Sequence, residues 1–388
     1  MDTLRPWYIL PIIVLAQFAG TSLWFAGNAV ILDLRGAYLL PETALGGLTS
    51  AVQLGFIIGT LVYAVTLLAD RFSPGLVFFL SALLGATANG TVGWLATSYP
   101  TILVARFLTG FFLAGIYPVG MKIASDWYEK GLGKALGYLV GALVLGTAFP
   151  HLLRFTAADL PWQRVIQGTS AIAVFGGLAI WWLVPDGPHL RRGSQFDPRA
   201  IYRMFQLPRF RSAALGYFGH MWELYAFWAF VPLALSFGIP SLSEANLSLL
   251  SFIVIALGGL GCVLGGYASA KKGSARIAFV MLGISGVLCL FSPGLFFLPP
   301  ILFALSMFIW GFAVVGDSPQ FSTLVAQNAP PEYRGSALTI VNCLGFAITI
   351  GSIQLLNYLV LVIPSSFLFL PLVIGPIFGL WSVRWLLR

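Results

Sequence analysis

Apolar runs of about twenty residues or more follow one another along this chain, separated by short stretches rich in Gly, Pro, Asp, Lys and Arg. Because roughly 20 apolar residues in a helix cross about 30 Å of hydrocarbon, each run reads as a membrane-spanning helix. The pattern predicts spans near residues 7–32, 42–68, 75–97, 100–124, 132–155, 162–184, 211–236, 243–269, 275–297, 299–327, 335–358 and 362–386. The expected fold class is therefore an all-α integral membrane protein of about a dozen spanning helices. One connection is long, and it contains PDGPHLRRGSQFDPR. It divides the chain into an N-terminal bundle (1–184), a basic linker (185–210) and a C-terminal bundle (211–388).

Composition sharpens this picture. Of 388 residues, 59% are hydrophobic and 9% charged, with mean hydropathy +0.91. Water is not the main solvent of such a chain. The first apolar run reaches Leu32, too long for a cleavable leader, so it is expected to remain as an anchor. A formal charge of +8 raises nucleic-acid binding, but the distribution of the cations explains it otherwise. Arg5, Arg71, Lys122, Lys134, the linker arginines, Lys271, Lys272, Arg334 and Arg384 fall on one side of the predicted spans, against Arg35, Arg154 and Arg164 on the other. By the positive-inside rule both termini and the linker are expected in the cytoplasm, the membrane being a bacterial inner membrane. Cys262, Cys289 and Cys343 lie in apolar runs without metal-ligand spacing and read as packing residues.

The halves repeat. At an offset of 201, ARFLTGFFLAGIYP lies over SMFIWGFAVVGDSP, which matches Gly110, Gly115 and Pro118 with Gly311, Gly316 and Pro319. At an offset of 202, Gly133, Ala135 and Leu136 lie over Gly335, Ala337 and Leu338. Parallel repeats of six helices suit a carrier whose solute site lies between its halves.

The loop LLADRFSPG, Leu67 to Gly75, resembles the signature between the second and third helices of the major facilitator superfamily, and ARFLTGFFLAG resembles that family's fourth-helix motif. The segments DWYEKGLGKALG, GYFGHMWELYAFW and GDSPQFSTLVAQNAPPEYRGSAL are similar to bacterial carriers grouped near nitrate/nitrite porters and cyanate permeases. The resemblance implies the superfamily's fold, two six-helix bundles, and alternating-access transport. It also implies a cytoplasmic gate in which Asp70 meets the start of the eleventh helix while Arg71 pairs with Asp126. The arginine of the fourth-helix motif, matched by Arg106, is associated with proton coupling or anion contact. The corresponding loop of the second half has Ala270 in place of the acid, so a second gate is expected to be degenerate.

Ionisable groups at mid-membrane are costly unless paired or wetted. Three stand out: Arg106, Glu223 and Asp317. His220 stands three residues before Glu223, on one helical face, and the two read as a proton-handling pair. Trp24, Asn28, Gln53, Tyr117, Trp222, Tyr225, Asn342 and Gln354 are candidates for lining a cavity. His151 and Arg154 are expected to reach the headgroups at a helix end, and Lys122 those of the cytoplasmic face.

The function expected is proton-coupled transport of a small polar or anionic solute. Proton-driven efflux of a hydrophobic compound and a transport-dead receptor or assembly factor are the alternatives. No HExxH, P-loop or Ser-His-Asp pattern points to an enzyme. Expected partners are the solute, protons and the bilayer, with neither cofactor nor metal, and a monomer suffices.

Overall fold

A computed structural model describes residues 6–128, 132–189, 200–330 and 333–387. The linker arginines Arg191, Arg192 and Arg199 lie outside the described residues. Among the described residues, eleven helices are long and apolar enough to cross a membrane: α2 (Ala44–Thr66), α3 (Pro74–Trp94), α4 (Tyr99–Trp127), α5 (Lys134–Thr156), α6 (Gln163–Leu183), α7 (Pro208–Gly238), α8 (Glu244–Lys272), α9 (Ser274–Leu295), α10 (Pro300–Asn328), α11 (Arg334–Val362) and α12 (Ser365–Leu386). The shorter α1 (Ile9–Thr21) completes the set, followed by helical pieces Ala26–Ala29 and Ile31–Tyr38. The first span expected from the sequence is thus helix, break and helix.

Among the described residues α1, α4 and α10 are broken mid-span and α12 begins as two short 3-10 turns; the α4 and α10 breaks have a local cause. In α4 the helix stops at Leu113 and resumes at Tyr117, with Pro118 at its second residue. In α10 it stops at Gly316 and resumes at Ser318, with Pro319 likewise placed. Proline has no N–H to give the carbonyl four residues earlier and its ring crowds that carbonyl. The repeat of Gly115 and Pro118 as Gly316 and Pro319 is therefore a repeated helix break. The break in α1, at Ser22–Phe25, contains no proline.

Within each half, two helices pack backbone to backbone. A Cβ added to Gly110 of α4 would collide with the Val52 carbonyl of α2, and one added to Gly311 of α10 would collide with the Val254 carbonyl of α8. Only glycine fits such a crossing, because no side chain stands between the backbones. Outside the bundle, large apolar side chains such as Trp182, Phe291 and Ile309 are left exposed, as a surface facing lipid requires.

The linker starts by docking on the N-terminal half. His189 N–H donates to the Asp126 carbonyl at 3.0 Å, Trp127 Nε1 to the Pro185 carbonyl at 3.0 Å, and Ser73 Oγ to Asp186 Oδ1 at 2.7 Å. A helix, Ala200–Gln206, precedes α7.

Gly311→Ala forces the α8–α10 crossing apart and is expected to lower stability by about 1–3 kcal/mol. Gly283→Ala, on α9 with nothing within 4 Å of its added carbon, is expected to leave it unchanged. Thermal unfolding of the two purified variants checks the contrast.

Candidate functional site

The α1 break leaves the carbonyls of Leu23 and Trp24 without helical partners, and Arg106 of α4 takes both. Its guanidinium donates to the Leu23 carbonyl at 3.1 Å, at short range to that of Trp24, and to Asn89 Oδ1 of α3 at 2.8 Å. Arg106 is fully buried and forms no ion pair among the described residues. Gly27 leaves room for it, since a Cβ there would stand 3.3 Å from its Nε. One side chain thus ties α1, α3 and α4 together.

The second half has a charge in the corresponding junction, of opposite sign and from another helix. Glu223 of α7 is buried, and its Oε1 accepts from Ser285 Oγ of α9 at short range, from Cys289 Sγ at 3.2 Å and from Trp310 Nε1 of α10 at 2.7 Å. The i, i+3 spacing suggested that Glu223 works with His220. The structure instead turns Glu223 into the α7–α9–α10 junction and gives His220 a different partner.

That partner is Asp317. His220 Nδ1 lies 2.8 Å from Asp317 Oδ1, with both side chains excluded from solvent. The contact is an ion-pair approach rather than an aligned hydrogen bond, and His220 Nε2 and Asp317 Oδ2 also lack hydrogen-bond partners. Asp317 stands at the α10 break itself. The carbonyl of Val315, which would have accepted from residue 319 were it not proline, takes the Cys262 thiol of α8 at 3.2 Å instead.

Between the halves is a wall of rings. Trp24 of the α1 break stacks on Phe346 of α11, centroids 5.5 Å apart, and meets Tyr225 of α7 at 5.6 Å. Tyr225 also contacts Phe346 at 5.1 Å and Trp228 at 5.2 Å. Beside these rings is a cavity bordered by Tyr117, Tyr217, Tyr225, Trp228, Asn342 and Phe346, with about 20 Å³ of free space, room for a single water. Tyr217 donates its hydroxyl hydrogen to Asn342 Oδ1 at 2.8 Å. Ser318 and Val315, on either side of Asp317, border the same cavity.

Two seams join the halves. Along α2–α11 most polar ties lie at the end remote from the linker, with Cys343 Sγ against the Ile57 carbonyl at 4.0 Å nearer the other end. Asn357 Nδ2 donates to the Thr43 carbonyl at 3.0 Å, Gln354 Nε2 to Ser50 Oγ at 2.8 Å, and Gly46 N–H to Asn357 Oδ1 at 3.3 Å. The α5–α8 seam is tied at both ends. Arg154 pairs with Asp33 at 3.1 Å and with Glu244 at 3.7 Å, while at the linker end the Tyr138 and Tyr267 hydroxyls are 2.8 Å apart.

Several expectations are corrected here. Among the described residues Asp70 pairs with Lys122 of its own half at 3.0 Å, not with α11. Lys122 is thereby an ion-pair partner and not a headgroup contact. Arg71 is exposed and among the described residues forms no ion pair, and the linker residue Gly187 lies against the Asp126 backbone. His151 is buried, with Nε2 unpartnered, and Arg154 ties the seam, so neither reaches outward. Trp222 Nε1 donates to the Pro371 carbonyl at 3.4 Å, which turns it onto α12, and Gln354 serves the seam. Asn28 donates to Thr49 Oγ1 at 2.8 Å, while the Gln53 amide is buried without a partner. Of the predicted lining residues, Tyr117, Tyr225 and Asn342 border the cavity and Trp24 forms part of the ring wall. Asn89, Ser285, Trp310 and Asn357 were missed, although an amide in the apolar third helix was a legible signal for Asn89. Among the described residues no group of His, Cys, Asp and Glu is arranged to hold a metal.

Comparison with known proteins agrees with this architecture. The Probable 4-methylmuconolactone transporter of Cupriavidus pinatubonensis is 26% identical over 339 residues, 81% of this chain and 75% of the relative. The 3-(3-hydroxy-phenyl)propionate transporter of Escherichia coli is 29% identical over 154 residues, 39% of this chain and 37% of that protein. Among solved structures, the proton:xylose symporter XylE bound to 6-bromo-6-deoxy-D-glucose matches with TM-score 0.78 at 14% identity, covering 100% of this chain and 96% of that one. A bacterial homologue of the human lysosomal transporter Spinster, inward-facing and unoccupied, matches with TM-score 0.72 at 15% identity, covering 100% of this chain and 97% of that one. The model of the Major Facilitator Superfamily matches residues 12–353. With its relatives named as transporters and its helices paired as two bundles around a central cavity, the chain belongs to the Major Facilitator Superfamily and is a membrane transporter, not an enzyme.

Proposed function

We propose that this chain is a proton-coupled secondary carrier of a small polar organic solute, acids included, working by alternating access. The observation that carries the coupling is the His220–Asp317 pair, buried behind Val315 and Ser318, which border the central cavity. An acid and an imidazole withdrawn from water exchange a proton with the solvent only when the cavity opens to one side, which is what a coupled cycle requires. Arg106 and Glu223 hold the two three-helix junctions against which that pair moves. The relatives named for 4-methylmuconolactone, D-galactonate and 3-(3-hydroxy-phenyl)propionate support an organic solute.

In this reading the chain lies in a bacterial cytoplasmic membrane as a monomer, with residues 1–184 and 211–388 as the moving halves. The linker and both termini face the cytoplasm. The α2–α11 ties then close the outer face, and Asp70, Lys122 and Asp126 belong to the cytoplasmic gate.

Two measurements test the reading. In proteoliposomes, Asp317→Asn and His220→Gln are each expected to cut proton-driven uptake of 3-(3-hydroxyphenyl)propionate by about tenfold or more, the scale of losing one charged hydrogen bond. Exchange of internal for external solute should persist. Loss of both activities, or of neither, removes the pair from coupling. Separately, the double variant Ser50→Cys with Gln354→Cys is expected to stop uptake on oxidation and regain it on reduction. Uptake indifferent to that cross-link would show that the α2–α11 seam does not open during transport.

A further inference from the structure

The central cavity has a chemical bias that the coupling reading leaves unused. Its border combines ring faces (Tyr117, Tyr217, Tyr225, Trp228 and Phe346) and the neutral Asn342 amide and Ser318 hydroxyl with aliphatic side chains such as Leu143 and Met221. No Lys, Arg, Asp, Glu or His belongs to that border. The buried charges are engaged elsewhere. Arg106 donates to two backbone carbonyls and Asn89. Glu223 Oε1 accepts from Ser285, Cys289 and Trp310, and Asp317 faces His220.

An ion entering this space would leave water and find no opposite charge. That is the costliest way to bury a solute. A neutral solute needs only its hydrogen bonds replaced, and the site can supply them. Because Tyr217 already donates to Asn342 Oδ1, the amide group of Asn342 remains as a donor, beside the hydroxyls of Tyr117 and Ser318. The rings offer the rest. Tyr225, Phe346 and Trp228 meet at centroid distances of 5.1 and 5.2 Å, in the tilted and edge arrangements that aromatic faces prefer. A flat body entering between them replaces ring contacts with ring contacts.

We propose that the site selects a flat, single-ring-sized, uncharged organic solute carrying a carbonyl or hydroxyl, and that an organic acid is accepted in its protonated form. The ring lies against Tyr225, Phe346 and Trp228, and its carbonyl oxygen accepts from the Asn342 amide. The proposal rests on the transport reading above and names the solute class of that same cavity.

The test compares four probes against the purified full-length protein at neutral pH, by calorimetric titration. 3-Phenylpropionamide is neutral, flat-ringed and carbonyl-bearing; 3-phenylpropionate is its anion; D-gluconate is an acid without a ring; tetraethylammonium is a cation suited to aromatic faces. The amide is expected to bind about tenfold or more tightly than the carboxylate, with gluconate and tetraethylammonium weaker still. Tyr225→Leu and Asn342→Leu should each weaken the amide about tenfold. The wild-type ranking stands by itself should either variant fail to fold. Carboxylate binding as tight as the amide, a preference for gluconate or tetraethylammonium, or no binding of any probe overturns the proposal. Proton-driven uptake of gluconate would sink it while leaving the coupling reading intact. Amide transport with no proton movement would do the reverse.

Discussion

In hydrocarbon no water waits to satisfy a freed backbone carbonyl, and the architecture of this carrier follows from how it meets that constraint. A helix that breaks mid-membrane must have its orphaned carbonyls capped by a side chain from elsewhere in the protein. Arg106 does this for Leu23 and Trp24, and Cys262 does it for Val315. The first cap fixes the α1 break that presents Trp24 to the opposite half. The second secures the α10 break at which Asp317 faces His220. The parts of the molecule nearest the transport path are therefore the ones whose backbone is held by side chains and not by a helix ladder.

The twofold repeat supplies two equivalent junctions and the sequence fills them with opposite charges. In the first half a cation from α4 reaches α1 and α3; in the second an anion from α7 reaches α9 and α10. Neither has a counter-ion at hydrogen-bonding distance among the described residues. Each is satisfied by neutral dipoles, which hold a buried charge only while several converge on it. Repeat symmetry in the backbone thus coexists with electrostatic asymmetry in the side chains.

How much of this was legible in the sequence depended on the range over which each cause acts. The spans were readable because twenty apolar residues are a local signal, and the α4 and α10 breaks were latent in the repeated Gly and Pro positions. The α1 break was not, because its stabilising residue is 82 positions away from Trp24. Arg106, Glu223 and Asp317 stood out as costly groups, and all three are buried. Their partners came from distant helices, so periodicity suggested Glu223 for His220 where the fold supplies Asp317. Tyr117, Tyr225 and Asn342 were found among the lining candidates, whereas Trp222 and Gln354 carry the same chemical character on faces that packing directs elsewhere.

The two seams between the halves are unequally fastened. Tyr138 meets Tyr267 at one end of α5–α8 and Arg154 meets Glu244 at the other, whereas the amide ties of α2–α11 gather at one end. A pair of plates stitched along one border and clasped at a single corner of the other behaves like a book. Its softest motion is a swing about the spine, and the width of the gap grows with distance from it.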